Sequence, residues 1–341
     1  MNLLPSDEQQ EIISVVRSFL AARLPTSSIR DRRNKSSCIA GDVWSECGAL
    51  GWFGLGLDEQ FGGIGYGMAE QALLLREIGR HLASGPFIAT ILGARVAALA
   101  GERDVARAIV TGEAMVCLAE PRAGAVVGPT LSGTFDLLDA PGAGYALVAT
   151  PECAVLMSMD SLAHARMLPS IDPAVRLSQV ELTNALPLAL VMADLDPVFV
   201  RATVLVAAMM TGIAEATRDI ASQYAKDREQ FGRPIGINQA IKHACADMAT
   251  RSEAAGSQLL FAALSVDEAR GDRDFQATSA RIVAGHAAIQ NAAANVQVHG
   301  GIGYTFEHDA HLFVKRASVL DRMFGSSRRH LASLLQMSGP Q

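Results

Sequence analysis

Little of this 341-residue chain is charged or aromatic, only 19% and 5% respectively, and its net charge is -6. A nucleic-acid binder usually presents a basic surface, so that class drops in rank. Long apolar runs are missing too. The longest, 202–214, lies between Arg201 and Glu215 and falls short of the ~20 residues a membrane-spanning helix needs. It suffices for a buried helix, and no membrane span is expected. The start of the chain is polar by Ser6 and has no basic segment, so it does not read as a signal peptide. Cysteine is sparse, and Cys38, Cys47, Cys117, Cys153 and Cys245 show no CxxC spacing. They read as reduced thiols of a cytoplasmic protein, small core residues rather than metal ligands. What is abundant is hydrophobic residues, 50% of the chain, which excludes disorder for its bulk.

The length allows two or three domains. Residues 1–112 read as helical. Ser6-Asp-Glu-Gln9 offers capping groups ahead of Ile12, Ile13, Val16, Phe19 and Leu20 at helical spacing. Asp42 is expected to cap a second helix with Val43, Trp44, Cys47 and Leu50 on one face. Phe61-Gly-Gly-Ile-Gly-Tyr-Gly67 is a loop, and Met68 to Leu82 resumes helical periodicity. Residues 113–195 change character. Short apolar runs at 115–118, 145–149, 154–157 and 176–182 alternate with Gly and Pro, a strand-and-turn pattern. From Asp196-Pro197 onward (196–341) long Ala-rich helices return. Helices, then a small β domain, then helices is an α+β order. The string Gly-Gly-Ile-Gly-Tyr occurs at 62–66 and at 300–304, without the surrounding similarity of a repeat.

Several motifs stand in a telling order. They are Leu50-Gly-Trp-Phe-Gly-Leu55, Glu59-Gln-Phe-Gly-Gly63, Glu77-Ile-Gly-Arg80, Arg228-Glu-Gln-Phe-Gly-Arg-Pro-Ile235, Asn238-Gln239, Gln297-Val-His-Gly-Gly-Ile-Gly-Tyr304 and Glu307-His-Asp-Ala-His311. Across nearly the whole chain this resembles the acyl-CoA dehydrogenase family. The resemblance implies an N-terminal α-helical domain, a small middle β domain and a C-terminal four-helix bundle. It implies FAD shared across a subunit interface, an acyl-CoA substrate, and electron-transfer flavoprotein as acceptor. It places Arg228, Phe231, Gln239, Gln297, Gly300 and Gly301 at the adenosine-diphosphate half of a neighbour's flavin. Elementary chemistry agrees. Arg228 offers a fork of donors for a pyrophosphate. Phe231 supplies an apolar face, and Gly300 and Gly301 let backbone amides approach a ligand. Gln239 and Gln297 both donate and accept. His308 and His311, with Glu307 and Asp309, lack the His-Glu-x-x-His spacing, and no metal is expected there.

The chain also departs from the family pattern. The resemblance calls for a glutamate that removes the substrate's α-proton, at one of two positions. Here those positions hold Phe324 and Ala202, and neither can take a proton. Glu215 is kept as an outside candidate for a relocated base, against a plain salt bridge with Arg218 at i, i+3. The family's Thr-Glu-Pro-x-x-Gly-Ser-Asp loop reads Ala119-Glu-Pro-Arg-Ala-Gly-Ala-Val126, without hydroxyls or aspartate. Its Thr-Asn loop is replaced by Asp136-Leu-Leu-Asp-Ala-Pro-Gly-Ala-Gly144. Groups for the chain's own flavin ring are eroded, and groups that reach a neighbour's flavin are kept. The favoured reading is a non-catalytic or half-site subunit of a heteromeric enzyme, of the kind that serves lipid or steroid side-chain breakdown. Two alternatives stand beside it: an active homo-oligomer with a relocated base, and an acyl-CoA or partner-binding scaffold that has lost flavin.

Overall fold

In the computed structural model, residues 4–162 and 164–339 are described. The first three residues of the segment read as no signal peptide lie outside them. Helices α1 (Asp7–Arg23), α2 (Ser27–Asp31), α3 (Gly41–Ala49), α4 (Met68–Arg80), α5 (Phe87–Leu99) and α6 (Arg103–Val110) come first. Strands β1 (Val116–Pro121), β2 (Leu131–Leu138), β3 (Tyr145–Ala149), β4 (Cys153–Ser158), β5 (Arg166–Leu168), β6 (Leu177–Ala185) and β7 (Ala189–Met192) follow. Then come α7 (Val198–Asp227), the small strands β8 (Glu229–Gln230) and β9 (Arg233–Pro234), α8 (Gln239–Asp267), α9 (Arg273–His299), α10 (Ala310–Leu320) and α11 (Ser327–Leu334). The α+β order expected from the sequence is what the chain adopts.

Ser6 caps α1 as its sequence suggests. Its hydroxyl accepts the Gln9 amide at 3.2 Å, and the Gln9 side chain accepts the Ser6 amide at 3.0 Å. Asp42 is a correction: Ala40 holds the cap position of α3 without a side-chain bond, and Asp42 sits inside the first turn. An acidic group there still favours the helix, through the positive end of its dipole.

The chain gathers into two compact units, each discontinuous in sequence. The first contains residues 27–71 and 84–202. Its sheet has the order β5-β6-β2-β1-β3-β4-β7, with β1 and β3 parallel and the other neighbours antiparallel. The sequence reading missed β2 and β5, which mix polar and apolar residues, and β7, which is apolar but only four residues long. The helix α5 is buried on almost every side. Its Thr90 hydroxyl accepts the Val116 amide at 3.1 Å, and a Cβ on Gly93 would come within 2.9 Å of the Val116 side chain. Trp44 stacks on Phe53 with ring centroids 4.4 Å apart, and Phe87 packs beside both. The stop-start at Asp196-Pro197 has a tertiary cause as well. Buried Asp196 takes the Arg95 guanidinium at 3.0 Å and that of Arg201 at 3.2 Å.

The second unit contains residues 4–26, Ala72–Ala83 and 203–339. Within it α4 and α7 cross at Gly79 and Gly212. A Cβ on Gly79 would strike the Met209 carbonyl, and one on Gly212 the Arg76 carbonyl. Glu77, fully buried, pairs with Arg17 at 3.0 Å and Arg80 at 3.9 Å. The amide nitrogen of buried Asn291 on α9 reaches the carbonyls of Ala214 on α7 and Met248 on α8, at 3.1 and 3.0 Å. Its Oδ1 accepts from Arg251 at 2.8 Å. A buried amide on one helix satisfied by two others fixes the register of all three, because leaving it unpaired costs about 1–3 kcal/mol. By length and composition α7 could cross a membrane, but 78% of its most apolar window is buried inside the protein. It is a core helix.

Candidate functional site: a nucleotide-sized cavity at the end of two helices

The C-terminal end of α7 and the C-terminal end of α9 frame a cavity of about 340 Å³. Tyr224, Arg228, Gln230, Ile235, Val298, His299, Gly300, Gly301 and Ile302 line it. Arg228 donates its amide to the Tyr224 carbonyl at 2.8 Å, the last bond of α7, and its own carbonyl accepts the Ile235 amide at 2.8 Å. Between those bonds β8 and β9 form a tight hairpin. Phe231 and Gly232 make its tip, with φ of +54° and +76°. Two successive left-handed residues are what a two-residue hairpin matched to strand twist requires. Gly232 adopts that conformation freely, whereas phenylalanine is strained there. Phe231 as a residue is 99% exposed.

Gly300 ends α9 with φ +64°, and a Cβ built on it or on Gly301 would enter open space. Both backbones are therefore bare toward an incoming group. The guanidinium of Arg228 is exposed and has no carboxylate partner among the described residues. Tyr224 stacks on His299 with centroids 4.0 Å apart, and His308 lies against His299 at 4.3 Å with its ring tilted by 48°. An unpaired guanidinium, bare glycine backbone and apolar walls suit a phosphate-bearing adenosine group. The adenosine-diphosphate half of FAD fits that set of donors and walls.

Of the residues expected to bind the cofactor, the structure brings Arg228, Gly300 and Gly301 together in this lining. Phe231 stands at the hairpin tip beside it. Gln239, at the start of α8, and Gln297, on α9, are exposed and do not line the cavity. Sequence reasoning missed Tyr224, Gln230, Ile235, Val298, His299 and Ile302. A signal existed for two: Tyr224 precedes Arg228 by one helical turn, and His299 adjoins the glycine pair.

The two positions where a base is expected are apolar and closed. Ala202 is fully buried in α7, and Phe324 is 1% exposed, between α10 and α11. Phe324 has φ +54° and Gly325 φ +98°. Around this turn Arg281, fully buried, reaches the Leu320 carbonyl at 3.0 Å and Asp321 at 3.7 Å. The Ser327 hydroxyl bonds Asp321. Glu215 does not pair with Arg218, a second correction. It meets Arg80 at 3.3 Å and Arg76 at 3.8 Å, while Arg218 goes to Asp219 at 2.8 Å and Glu253 at 3.5 Å. Its carboxylate faces α4 rather than one turn along α7.

The two eroded loops are held internally. After β1, Arg122 binds Asp136 at 2.9 Å, and Val126 bridges to Ser132. Asp136 also accepts from Gln179 at 3.0 Å, and Asp139 accepts the Arg176 amide at 2.8 Å. Both carboxylates of the 136–144 stretch thus have partners within the sheet region. His308 accepts the Ala310 amide at 3.1 Å, and no group of three or more His, Cys, Asp or Glu gathers for a metal among the described residues. Burial pushes the Cys47 thiol up to about 12 and raises that of Cys117 further, so neither is a thiolate at neutral pH.

Comparison with known proteins identifies the family. Residues 6–112 match the model of the acyl-CoA dehydrogenase N-terminal domain, and residues 198–337 that of the C-terminal domain. Acyl-CoA dehydrogenase IpdE2 of Mycobacterium tuberculosis is 30% identical over 334 residues, covering 97% of this chain and 98% of the relative. Two solved structures share the fold. The ChsE4-ChsE5 complex from Mycobacterium tuberculosis has a TM-score of 0.86 at 22% identity and covers 100% of both chains. A variant of the Tcur3481-Tcur3483 steroid ACAD has a TM-score of 0.86 at 24% identity and covers 97% of both. The chain belongs to the acyl-CoA dehydrogenase family, whose members bind FAD.

Proposed function

We propose that this chain is the non-catalytic, or half-site, subunit of a heteromeric acyl-CoA dehydrogenase. The contrast that carries the reading is between two regions. Phe324 and Ala202, both buried, stand where the family resemblance places the base, whereas Arg228 has no carboxylate partner among the described residues and lines an open cavity. A buried phenylalanine or alanine cannot hold a proton, so the α-proton of an acyl-CoA thioester would pass to a carboxylate of another subunit. When bound, FAD supplies the acceptor for the hydride that leaves the β-carbon. This chain's part is binding: Arg228 takes phosphate, Gly300 and Gly301 bring backbone amides close, and Phe231 supplies an apolar face toward a neighbour. An exposed, strained Phe231 supports that role, because such a ring gains its stabilisation once a partner covers it. A bulky acyl group such as a steroid side chain is the substrate class the relatives support, in the cytoplasm, with electron-transfer flavoprotein as acceptor.

The test is purification with and without a companion subunit. Alone, the chain is expected to hold FAD weakly or substoichiometrically and to show negligible acyl-CoA dehydrogenase activity. A bright yellow homo-oligomer with robust turnover on any acyl-CoA, using an artificial electron acceptor, overturns the half-site reading.

A further inference from the structure

The cavity contains one group that phosphate binding does not require. His299 borders it, buried as a residue, stacked on Tyr224 and flanked by the tilted ring of His308. Its Nδ1 lies 2.7 Å from the Asn295 carbonyl. A carbonyl only accepts, so Nδ1 carries the proton, and a neutral ring leaves a lone pair on Nε2. Burial first, and His308 beside it, hold the ring below the usual imidazole range, which keeps it neutral at pH 7. Nε2 has no hydrogen-bond partner among the described residues. Ile235, Val298 and Ile302 give the cavity apolar wall suited to a flat base, and Arg228 gives it an end suited to phosphate.

We infer that Nε2 of His299 is an acceptor that reads the exocyclic amine of an adenine base, making the cavity selective for adenine nucleotides. The inference rests on the reading of the Arg228 corner as the holder of an adenosine diphosphate. The chemistry is complementary. Adenine presents a donor at that edge. Hypoxanthine and guanine present a carbonyl oxygen, which would set two lone pairs against each other and leave both unsatisfied. Stacking alone tolerates every base, because each has a π-face. Discrimination therefore requires the acceptor.

The experiment is calorimetric titration of the full-length chain with ADP and with inosine diphosphate at pH 7.5. The wild-type chain is expected to prefer ADP about 10-fold, the scale of one buried hydrogen bond. His299→Phe keeps a ring in the stack and removes Nε2, and it should bind both nucleotides alike. His299→Gln, which can still accept, should keep part of the preference. Equal affinities in the wild-type chain overturn the inference without any variant, and so does a preference that survives His299→Phe. Arg228→Ala separates the two readings. It should weaken both nucleotides and leave their ratio unchanged. If it weakens both while the wild type does not discriminate, the acceptor role alone fails. If it changes nothing while His299-dependent discrimination persists, the phosphate corner fails and the acceptor role stands. Binding of neither nucleotide overturns both.

Discussion

The Nε2 of His330 lies 3.0 Å from the carbonyl of Phe324, so α11 pins the backbone at the position where the family resemblance places a glutamate. That position holds Phe324, and the turn around it is held by Arg281, Asp321, Ser327 and His330. This buried framework creates measurable liabilities.

The first concerns pH. Burial, then the neighbouring Arg281, push His330 down to about 4, whereas an unfolded histidine titrates near 6.5. Between those values the unfolded chain binds a proton that the folded chain does not. Stability is therefore fully present above about pH 6.5 and falls as pH drops toward 4. The shift corresponds to roughly 3 kcal/mol. Urea denaturation at several pH values should show this limb, and His330→Gln should flatten it. An identical slope in the variant would show that other groups cause the acid sensitivity.

The second concerns Arg281, whose guanidinium is fully buried against Asp321 and the Leu320 carbonyl. Arg281→Ala removes one partner of a buried pair and leaves a void, which costs about 3–5 kcal/mol. Equilibrium unfolding should register that loss. A change under about 0.5 kcal/mol would mean the pair contributes nothing to the turn.

Arg228→Ala, in contrast, should spare the fold. Its side chain is exposed and has no hydrogen-bond or ion-pair partner among the described residues, so the melting temperature should stay put. FAD affinity of the assembled enzyme should fall about 10–150-fold, the value of a charge-assisted phosphate contact of 1.5–3 kcal/mol. Fluorescence titration with FAD measures it. Unchanged flavin content would reduce Arg228 to a solvated helix-end charge.

Restoring a carboxylate should not restore catalysis. Phe324→Glu and Ala202→Glu would each bury a group whose ionised form is disfavoured, and both variants should be less stable. The 119–126 stretch would still lack hydroxyls, and misplaced reacting groups lose ~100-fold in rate. Each variant, mixed anaerobically with acyl-CoAs of several lengths, should give no flavin reduction. Reduction in either would mean that only the base had been missing.

The sequence by itself determined the family and the order of the parts. Helical periodicity around Val16 and Leu20, the cap at Ser6, and the motifs at 228–235 and 297–304 are local patterns, and local patterns are legible because the residues that satisfy them lie within a few positions. It also pointed to Phe324 and Ala202 as the residues at the two positions where the resemblance calls for a glutamate, since comparing a position with a motif needs no folding. The tertiary structure alone decided what depends on distant contacts. Glu215 pairs with Arg80, which is 135 residues away in sequence, rather than with Arg218 one turn along. The strands β2, β5 and β7 form because the sheet supplies hydrogen-bond partners that the mixed composition of β2 and β5 and the four-residue length of β7 do not announce. Gln239 and Gln297 turn outward, while His299, unremarked beside its glycines, turns into the cavity. Side-chain direction at a helix end is set by what packs against it, and for His299 that is Tyr224, contributed by another helix.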